Sequence, residues 1–236
     1  MVHLLPNDAA SPFLELQGFD TCKIANAIEV LKLRLRNEGY TRPGLRCVTG
    51  GFPAIAGYAV TSKVRCADPP IRGTSHLELT DWWRKLQERP VPRIAVIEDI
   101  DPEPGQGAVL SQMHAEVLRS LRCCGVVTNG AVRNIPSLAA MSFPAFSCHV
   151  TMSHAYAHMV EYGVEVEILG LRVSPGDLIF ADVHGMLSVP AEHIADILRV
   201  AREREQRLVR IIDLCRDGRF SFDRLKAEIQ ELENVQ

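Results

Sequence analysis

The residues best suited to chemistry concentrate in residues 105–134, which read GQGAVLSQMHAEVLRSLRCCGVVTNGAVRN. This pattern predicts a glycine-rich turn that opens a helix, followed by a buried strand that ends in NGAVRN. Arg133 follows the predicted strand end, and a planar guanidinium is well suited to hold a carboxylate. The first N–H groups of a helix attract anions as well, because they have no partner inside the helix. The segment therefore predicts a pocket for a carboxylate such as that of a 2-oxo acid. The alternative interpretation of Arg133 is an ordinary surface or interface arginine.

Histidines are the next candidates. His114 lies two positions after Gln112, and an imidazole can serve as a general base near neutral pH. The alternative for His114 is a solvated position on the helix. His154 and His158 are four residues apart and would share one face of a helix, but no third zinc ligand stands at a suitable spacing. We expect a hydrogen-bonding or interface role for that pair.

The composition limits the classes of protein to which the chain can belong. Of 236 residues, 47% are hydrophobic, and 26 basic against 29 acidic side chains give a net charge of −3. So much apolar surface excludes disorder as the main state. A nucleic-acid binder should concentrate positive charge, and no half of this chain is basic, so we expect no nucleic-acid partner.

The sequence has no run of 18 apolar residues and no signal-peptide pattern, so we expect a cytoplasmic protein without membrane contact. The seven cysteines are odd in number and form no CxxC, which predicts neither disulfides nor a zinc site.

Strands and helices must alternate to position these residues. The central pattern runs strand, helix, strand, helix, strand, which predicts an α/β core with parallel pairing. Asp20 is the predicted N-cap of a first helix that extends to about Leu35. Hairpins follow residue 160, and Ser174–Asp177 has the proline and glycine of a type II turn. The other predicted elements are strands at 59–66, 93–98, 125–128, 145–148, 164–169, 171–173, 178–181 and 186–189, and helices at 77–87, 108–122, 136–141, 191–217 and 220–232.

The chain is expected to form one domain over residues 1–236, because no linker or repeat interrupts it. Residues 1–18 are predicted to be a polar lead-in, and residues 191–236 to be C-terminal helices.

Several motifs resemble the RraA-like family. The most specific is GVEVEILGLRVSPGDLIFADVHG, which covers the predicted hairpins. GVVTNGAVRN followed by FPAF resembles the family's central strand and the turn after it, and FDTCKIANAIEVL and GYAVTSKV resemble its first helix and first strand. The resemblance extends from about Phe19 to Gln206. It implies a layered α/β/α fold of the swivelling type, with a mixed β core and C-terminal helices.

The resemblance also implies a choice of functions. One branch of the family comprises divalent-metal-dependent aldolases that act on 4-hydroxy-4-methyl-2-oxoglutarate and 4-carboxy-4-hydroxy-2-oxoadipate, and several members decarboxylate oxaloacetate. Another branch inhibits an endoribonuclease without being an aldolase. Family members are trimers in which a glutamate from a neighbouring subunit reaches the site. Either Glu203 or Glu205 could match that glutamate.

The family's site residues carry over to this chain position by position. The resemblance assigns catalytic roles to the positions of Arg133 and Gln112, with Arg133 holding the substrate carboxylate. His114 stands where the family has an apolar residue near the substrate, and we predict it as a third catalytic residue, a general base. Substrate contacts are expected from Arg133, Met113, His114, Asn129 and Gly130. The position of the family's metal-binding aspartate is Asn134.

Four family acids are amides in this chain, at Asn26, Gln112, Asn129 and Asn134. Mg²⁺ and Mn²⁺ prefer anionic oxygen, and an amide offers only a neutral carbonyl oxygen. The exchanges therefore predict a weak or absent metal in a pocket that still accepts anions. A nucleotide cofactor is not expected, because Gly105 and Gly107 lack the remaining glycine and the acidic partner of that motif.

These observations together predict a lyase-type enzyme that cleaves or decarboxylates a 2-oxo acid. One alternative is a metal-independent isomerase, cyclase or decarboxylase on the same scaffold. The other is a non-catalytic regulatory protein with a protein partner.

Overall fold

The computed structural model of the protein describes residues 12–70, 79–218 and 220–235. Over these residues the helices are α1 (Pro12–Leu16), α2 (Thr21–Val30), α3 (Leu79–Leu86), α4 (Gln112–Ser120), α5 (Ile135–Ala140), α6 (Ile194–Arg216) and α7 (Phe222–Glu233). The strands are β1 (Arg46–Cys47), β2 (Ile55–Arg65), β3 (Arg93–Asp99), β4 (Ala108–Leu110), β5 (Cys123–Val132), β6 (Ala145–Val150), β7 (His158–Tyr162), β8 (Val166–Ile168), β9 (Leu171–Val173), β10 (Leu178–Asp182) and β11 (Gly185–Val189).

A large mixed sheet forms the centre of the molecule. Its strand order is β1-β6-β5-β3-β2-β10-β11, with β4 added beside β5 and β7 beside β2. The pairs β2–β3, β3–β5 and β5–β6 are parallel, whereas β10 is antiparallel to both β2 and β11. The predicted α/β class with parallel central pairing is confirmed, as is the mixed β core with C-terminal helices.

Alternate residues of the central strands face two different layers. Side chains such as Ala95 and Val126 pack with α3, α4 and α5. Their neighbours Val96 and Val127 pack under the small β8–β9 hairpin. A third core joins α1, α2 and α6 to β10 and β11. This alternation is the period-2 pattern of a strand that is buried on both faces.

The first predicted helix is confirmed but is shorter than expected. Asp20 caps α2 by accepting a hydrogen bond from the Lys23 N–H at 2.8 Å. The helix ends at Val30 and not near Leu35, because Lys32 adopts a left-handed conformation with φ 53°. The predicted lead-in is also partly structured, since α1 buries Leu16 completely. The first residues of that lead-in, 1–11, lie outside the described residues.

The segment before the central strand differs most from the sequence prediction. Residues 108–122 are not a single helix: 108–110 form β4, which pairs parallel to β5, and α4 begins only at Gln112. The glycine-rich turn therefore leads into a strand, where Arg133 N–H donates to Leu110 O at 3.0 Å. Residues 129 and 130 are likewise part of β5 and not of a turn, and the ladder shifts register between Thr128 and Ala131.

The histidine pair and the C-terminal region complete the fold. His154 lies in a loop and His158 opens β7, so the two do not share a helix face. Helix α7 contains no buried residue, but Val235 just beyond it is only 4% exposed and belongs to the third core. No helix among the described residues is long and apolar enough to cross a membrane.

Candidate functional site

A pocket of about 550 Å³ opens where α4 begins and β5 ends. Among the residues predicted for the site, the structure brings Gln112, Met113, Arg133 and Asn134 together in its wall. The complete lining is Ser111, Gln112, Met113, Glu116, Val117, Arg133, Asn134 and His154. The predicted position beyond the carboxyl end of a parallel strand therefore coincides with a cavity.

One side of this pocket combines a basic side chain with the start of a helix. Arg133 is half-buried, and no carboxylate forms an ion pair with it among the residues that the structure describes. The N-cap Ser111 makes no side-chain hydrogen bond to the first turn of α4. The N–H groups of Met113 and His114 therefore lie at the start of α4 without a side-chain cap from Ser111, beside a fixed cation. An anion is the complementary ligand for such a surface.

The amide side chains in the wall are held together but remain exposed. Gln112 N–H donates to Asn134 Oδ1 at 3.4 Å, which is a long hydrogen bond. Asn134 has a left-handed backbone with φ 59°, a conformation that asparagine and aspartate tolerate. The one carboxylate in the pocket lining, Glu116, accepts a hydrogen bond from Arg119 at 2.8 Å. Neutral amides and one already paired carboxylate do not fit a resident Mg²⁺ or Mn²⁺ ion, which needs anionic oxygen ligands.

Carboxylates do lie nearby, in a buried carboxylate network formed by Cys66, Asp99 and Asp101. The candidate ligand atoms of these three residues lie within 4.8 Å of one another. Asp101 Oδ2 accepts from the N–H groups of Cys66 and Ala67, at 2.6 and 2.8 Å. Asp99 accepts from the N–H groups of Gly105 and Asp101, at 2.8 and 3.2 Å.

The electrostatics of this network favour a structural role over ion binding. Burial raises the pKa of Asp99. Burial, assisted by the two neighbouring carboxylates, raises the pKa of the Cys66 thiol to about 12. The carboxylate oxygens already accept hydrogen bonds from backbone donors. The network therefore fixes the loop after β3.

Two residues predicted to bind substrate belong to the support of this network. The Asn129 side chain accepts from Asp99 N–H and donates to Asp99 O, both at 2.8 Å. A Cβ at Gly130 would lie 2.9 Å from Asp99 Cβ, so glycine lets β5 approach β3 closely. Neither residue lines the pocket.

His114 lies near the pocket without lining it. Its ring centroid is 6.1 Å from that of His154 and 6.2 Å from that of Trp83. Burial lowers the pKa of His114, and the neighbouring His154 lowers it further. The imidazole of His114 is therefore held neutral, as a half-buried packing group.

The glycines of the GQG turn accommodate the histidine-containing segment 148–158. Gly105 has φ +98°, and a Cβ there would lie 2.6 Å from the ring of His149. A Cβ at Gly107 would lie 2.4 Å from the backbone oxygen of His154. The sequence predicted that this turn opens a helix, whereas its glycines allow the close packing of two backbone segments.

The remaining predicted residues lie in the α2–α6 region. Asn26 is an exposed residue of α2. Glu205 accepts a hydrogen bond from Lys23 at 2.6 Å, which ties α6 to α2, and Glu203 pairs with Arg199 at 3.3 Å. These three side chains are not in the pocket wall of this chain.

Sequence reasoning missed Glu116 and undervalued His154. Glu116 lies four residues after Gln112, so helical spacing places both on one face and could have identified it. His154 reaches the pocket because the loop after β6 folds back onto β4, and no local pattern predicts that return.

A family model agrees with this architecture. The model described as RraA-like, Aldolase/RraA, matches residues 21–187. A protein of Halalkalibacterium halodurans, provisionally named a 4-hydroxy-4-methyl-2-oxoglutarate aldolase, is 27% identical over 88 residues, which are 37% of this chain and 42% of that protein. The chain spans half or less of the length of the curated relatives that it matches.

Solved structures show the same fold. An uncharacterized protein from Pseudomonas syringae pv. tomato superimposes with a TM-score of 0.73 at 21% identity, over 94% of this chain and 98% of that one. RraAS2 of Streptomyces coelicolor, described as an unusual member of the RNase ES inhibitor RraA protein family, gives a TM-score of 0.67 at 21% identity. That match covers 85% of this chain and 96% of the other.

Proposed function

The chain belongs to the RraA-like family, and from that premise we propose that it is a carbon–carbon lyase that cleaves or decarboxylates a 2-oxo acid. The observation that carries the proposal is the guanidinium of Arg133 in the pocket wall, which has no carboxylate partner among the described residues and lies next to the start of α4, where Ser111 makes no side-chain cap. A family that includes aldolases and inhibitors of RNA processing allows this activity without fixing it.

The chemistry required of the pocket is the stabilisation of negative charge. Arg133 would hold the substrate carboxylate, and the N–H groups at Met113 and His114 would face the 2-oxo group. Cleavage next to such a group leaves an enolate, and fixed donors aimed at its oxygen lower the barrier. Gln112 and Asn134 would orient the remainder of the substrate through neutral hydrogen bonds.

A second candidate is chemistry that does not use a divalent ion at all. It is favoured by the lining itself, in which two amides occupy the positions of family acids and Glu116 is paired with Arg119. A Mg²⁺ or Mn²⁺ ion, when bound, would polarise the 2-oxo oxygen. The lining predicts that any such ion binds weakly.

We further propose that residues 1–236 form one domain and that the protein assembles as a homotrimer. The exposed side chains of Met113, Val150 and Met152, at 56%, 58% and 88%, support the assembly, because large apolar side chains near the pocket segments would be covered by a neighbouring subunit. Glu203 would be the better intersubunit candidate, because its contact with Arg199 at 3.3 Å is longer than the 2.6 Å contact that holds Glu205 to Lys23.

Pyruvate release tests the proposed activity. Purified protein would be assayed with oxaloacetate and with 4-hydroxy-4-methyl-2-oxoglutarate, with added Mn²⁺ and with EDTA. We expect pyruvate from at least one substrate, and a loss of about fiftyfold or more in kcat/KM for Arg133→Ala, because a charged hydrogen-bonding partner is removed. Arg46→Ala changes an exposed arginine outside the pocket and serves as the control.

The EDTA arm separates the two candidate chemistries. Activity that survives EDTA would establish the metal-independent form, and activity abolished by it would establish a weakly held ion. If no condition yields pyruvate, the lyase proposal is wrong and the non-catalytic alternative replaces it.

A further inference from the structure

His154 is held in place by contacts that do not involve its neighbours in the pocket wall. The backbone oxygen of the preceding residue, Ser153, accepts a hydrogen bond from Ala108 N–H at 2.9 Å. The backbone oxygen of His154 itself accepts from Ala157 N–H at 2.9 Å. Because Gly107 has no Cβ, the backbone of His154 can approach the turn more closely than any other residue type would allow. The loop therefore presents His154 from a fixed backbone.

One ring nitrogen of His154 has an assigned role. Nδ1 lies 3.0 Å from Ala108 O. A carbonyl oxygen can only accept, so Nδ1 carries the proton and the neutral ring has its lone pair on Nε2. Within the described residues no hydrogen bond engages Nε2, although the side chain is half-buried in the pocket wall.

The surroundings of His154 make its charge sensitive to what binds. Among the residues that the structure describes, the titratable and charged groups in its surroundings are His114 and Glu116 on α4, Arg133 after β5, and Cys66 after β2. His114 is held neutral by burial, the Cys66 thiol is protonated, and Glu116 is paired with Arg119. A dianion bound beside the ring would favour a proton on Nε2, because a neighbouring negative charge stabilises an imidazolium.

We propose that His154, and not His114, is the general acid–base group of this pocket, acting through Nε2 on a carboxylate substrate held by Arg133. The inference rests on the proposed function. In retro-aldol cleavage Nε2 takes the proton of the substrate's hydroxyl group, the adjacent carbon–carbon bond breaks, and its electron pair passes to the pyruvate enolate. The imidazolium then returns that proton to the enolate carbon and releases pyruvate. No oxidant or further reactant is needed.

The test uses oxalate, a dianion that resembles the pyruvate enolate, in titration calorimetry at pH 7.5. Binding would be measured in two buffers with different ionisation enthalpies, so that the difference counts the protons taken up. We expect the wild type to take up a measurable fraction of a proton, up to about one per oxalate, and His154→Gln to bind oxalate within a few-fold but without proton uptake. Oxalate binding by the wild type without proton uptake would overturn the role of His154. His154→Asn is the second variant if glutamine disturbs the loop. His114→Gln should keep the uptake, and His193→Gln, at an exposed site after β11, should match the wild type.

The outcomes distinguish a failure of the role of His154 from a failure of the proposed function. Unchanged proton uptake in both His154 variants, or its loss in His114→Gln, would overturn the role of His154 while leaving the carboxylate site intact. Absence of oxalate binding in the wild type would refute the proposed function and this inference with it. Where the aldol substrate is turned over, His154→Gln should lower kcat by about a hundredfold or more with little change in KM and remove the acidic limb of the pH profile, because a general base must be deprotonated to act. Arg133→Ala should chiefly raise KM.

Discussion

The buried carboxylate network and the amide-lined pocket lie on successive strands of one sheet, yet they use polar groups in opposite ways. Both oxygens of Asp99 and one of Asp101 accept backbone N–H donors inside the protein. In the pocket, Gln112 and Asn134 are exposed and Arg133 has no carboxylate partner among the described residues. Satisfied polar groups stabilise a fold, whereas unsatisfied ones are available to a ligand. The acids near this site therefore contribute to stability, and the neutral amides and the arginine remain for binding.

Removing a network carboxylate should have the largest effect. Asp101→Ala leaves two backbone N–H groups without their acceptor, one of them on the buried Cys66. We expect a loss of about 3 kcal/mol in the free energy of unfolding, measured by urea denaturation. Glu103→Ala in the same loop is the exposed control, and Gln112→Ala in the pocket should change stability by about 0.5 kcal/mol or less. Equal losses of unfolding free energy in Asp101→Ala and Gln112→Ala would show that the network does not stabilise the fold more than the pocket does.

The second-largest loss of stability is expected when a side chain is added at Gly107. A Cβ there would lie 2.4 Å from the His154 backbone oxygen and 2.8 Å from Cys66 Cβ, so the two segments must separate. We expect Gly107→Ala to cost about 2 kcal/mol of unfolding free energy and to weaken oxalate binding, because the loop that carries His154 moves. Gly51→Ala adds a Cβ with no atom within 4 Å and should be near neutral. A fully stable Gly107→Ala variant would contradict the close packing.

Restoring the acids should make the pocket resemble a metal site. In the double variant Gln112→Glu/Asn134→Asp, two neutral oxygens become anionic at adjoining positions in the wall. We expect Mn²⁺ affinity to rise by at least about tenfold, or about 1.4 kcal/mol, in calorimetry. Asn37→Asp/Gln206→Glu makes the same change in net charge at exposed positions outside the pocket lining. An equal gain in both double variants would show that bulk charge, and not the pocket, binds the ion.

The smallest effect concerns His114 and acidification. Because burial lowers the pKa of His114, the unfolded chain binds this proton at a higher pH than the folded chain does. Stability should therefore decrease as the pH falls below about 6.5, the ordinary imidazole value. His114→Gln should lessen the decrease between pH 7.5 and 5.5 by about 1 kcal/mol or less, measured as the difference in unfolding free energy. The exposed His193→Gln variant should follow the wild type, and a steeper decrease in His114→Gln would show the opposite shift.

Local patterns predicted the parts of the fold that local forces decide. The Asp20 cap, the β3 and β9 strands and the Ser174–Asp177 turn are confirmed because short-range spacing and turn chemistry set them. The boundary at Ala108–Leu110 was wrong, because apolar residues at helical spacing were instead recruited as an extra strand by the end of β5. Tertiary pairing outweighed periodicity there.

The site was predictable only in part for the same reason. Arg133 and Gln112 meet because a strand end and a helix start are adjacent in any such unit. His154 comes from a loop after β6, 42 residues beyond Gln112 in the sequence, and nothing local indicates where it returns. The roles of Asn129 and Gly130 depended on the approach of β5 to Asp99, which is likewise a tertiary contact.

The burial of Val235 predicts how the C-terminal helix α7 opens. Helix α7 has no buried side chain of its own, yet the residue just past its end is anchored in the core with α1, α2 and α6. The Arg207–Glu231 contact at 2.6 Å fastens the same end. A helix held this way cannot fray progressively from its anchored end. Its amide hydrogens should exchange with solvent together, as one cooperative unit that opens when Val235 leaves the core.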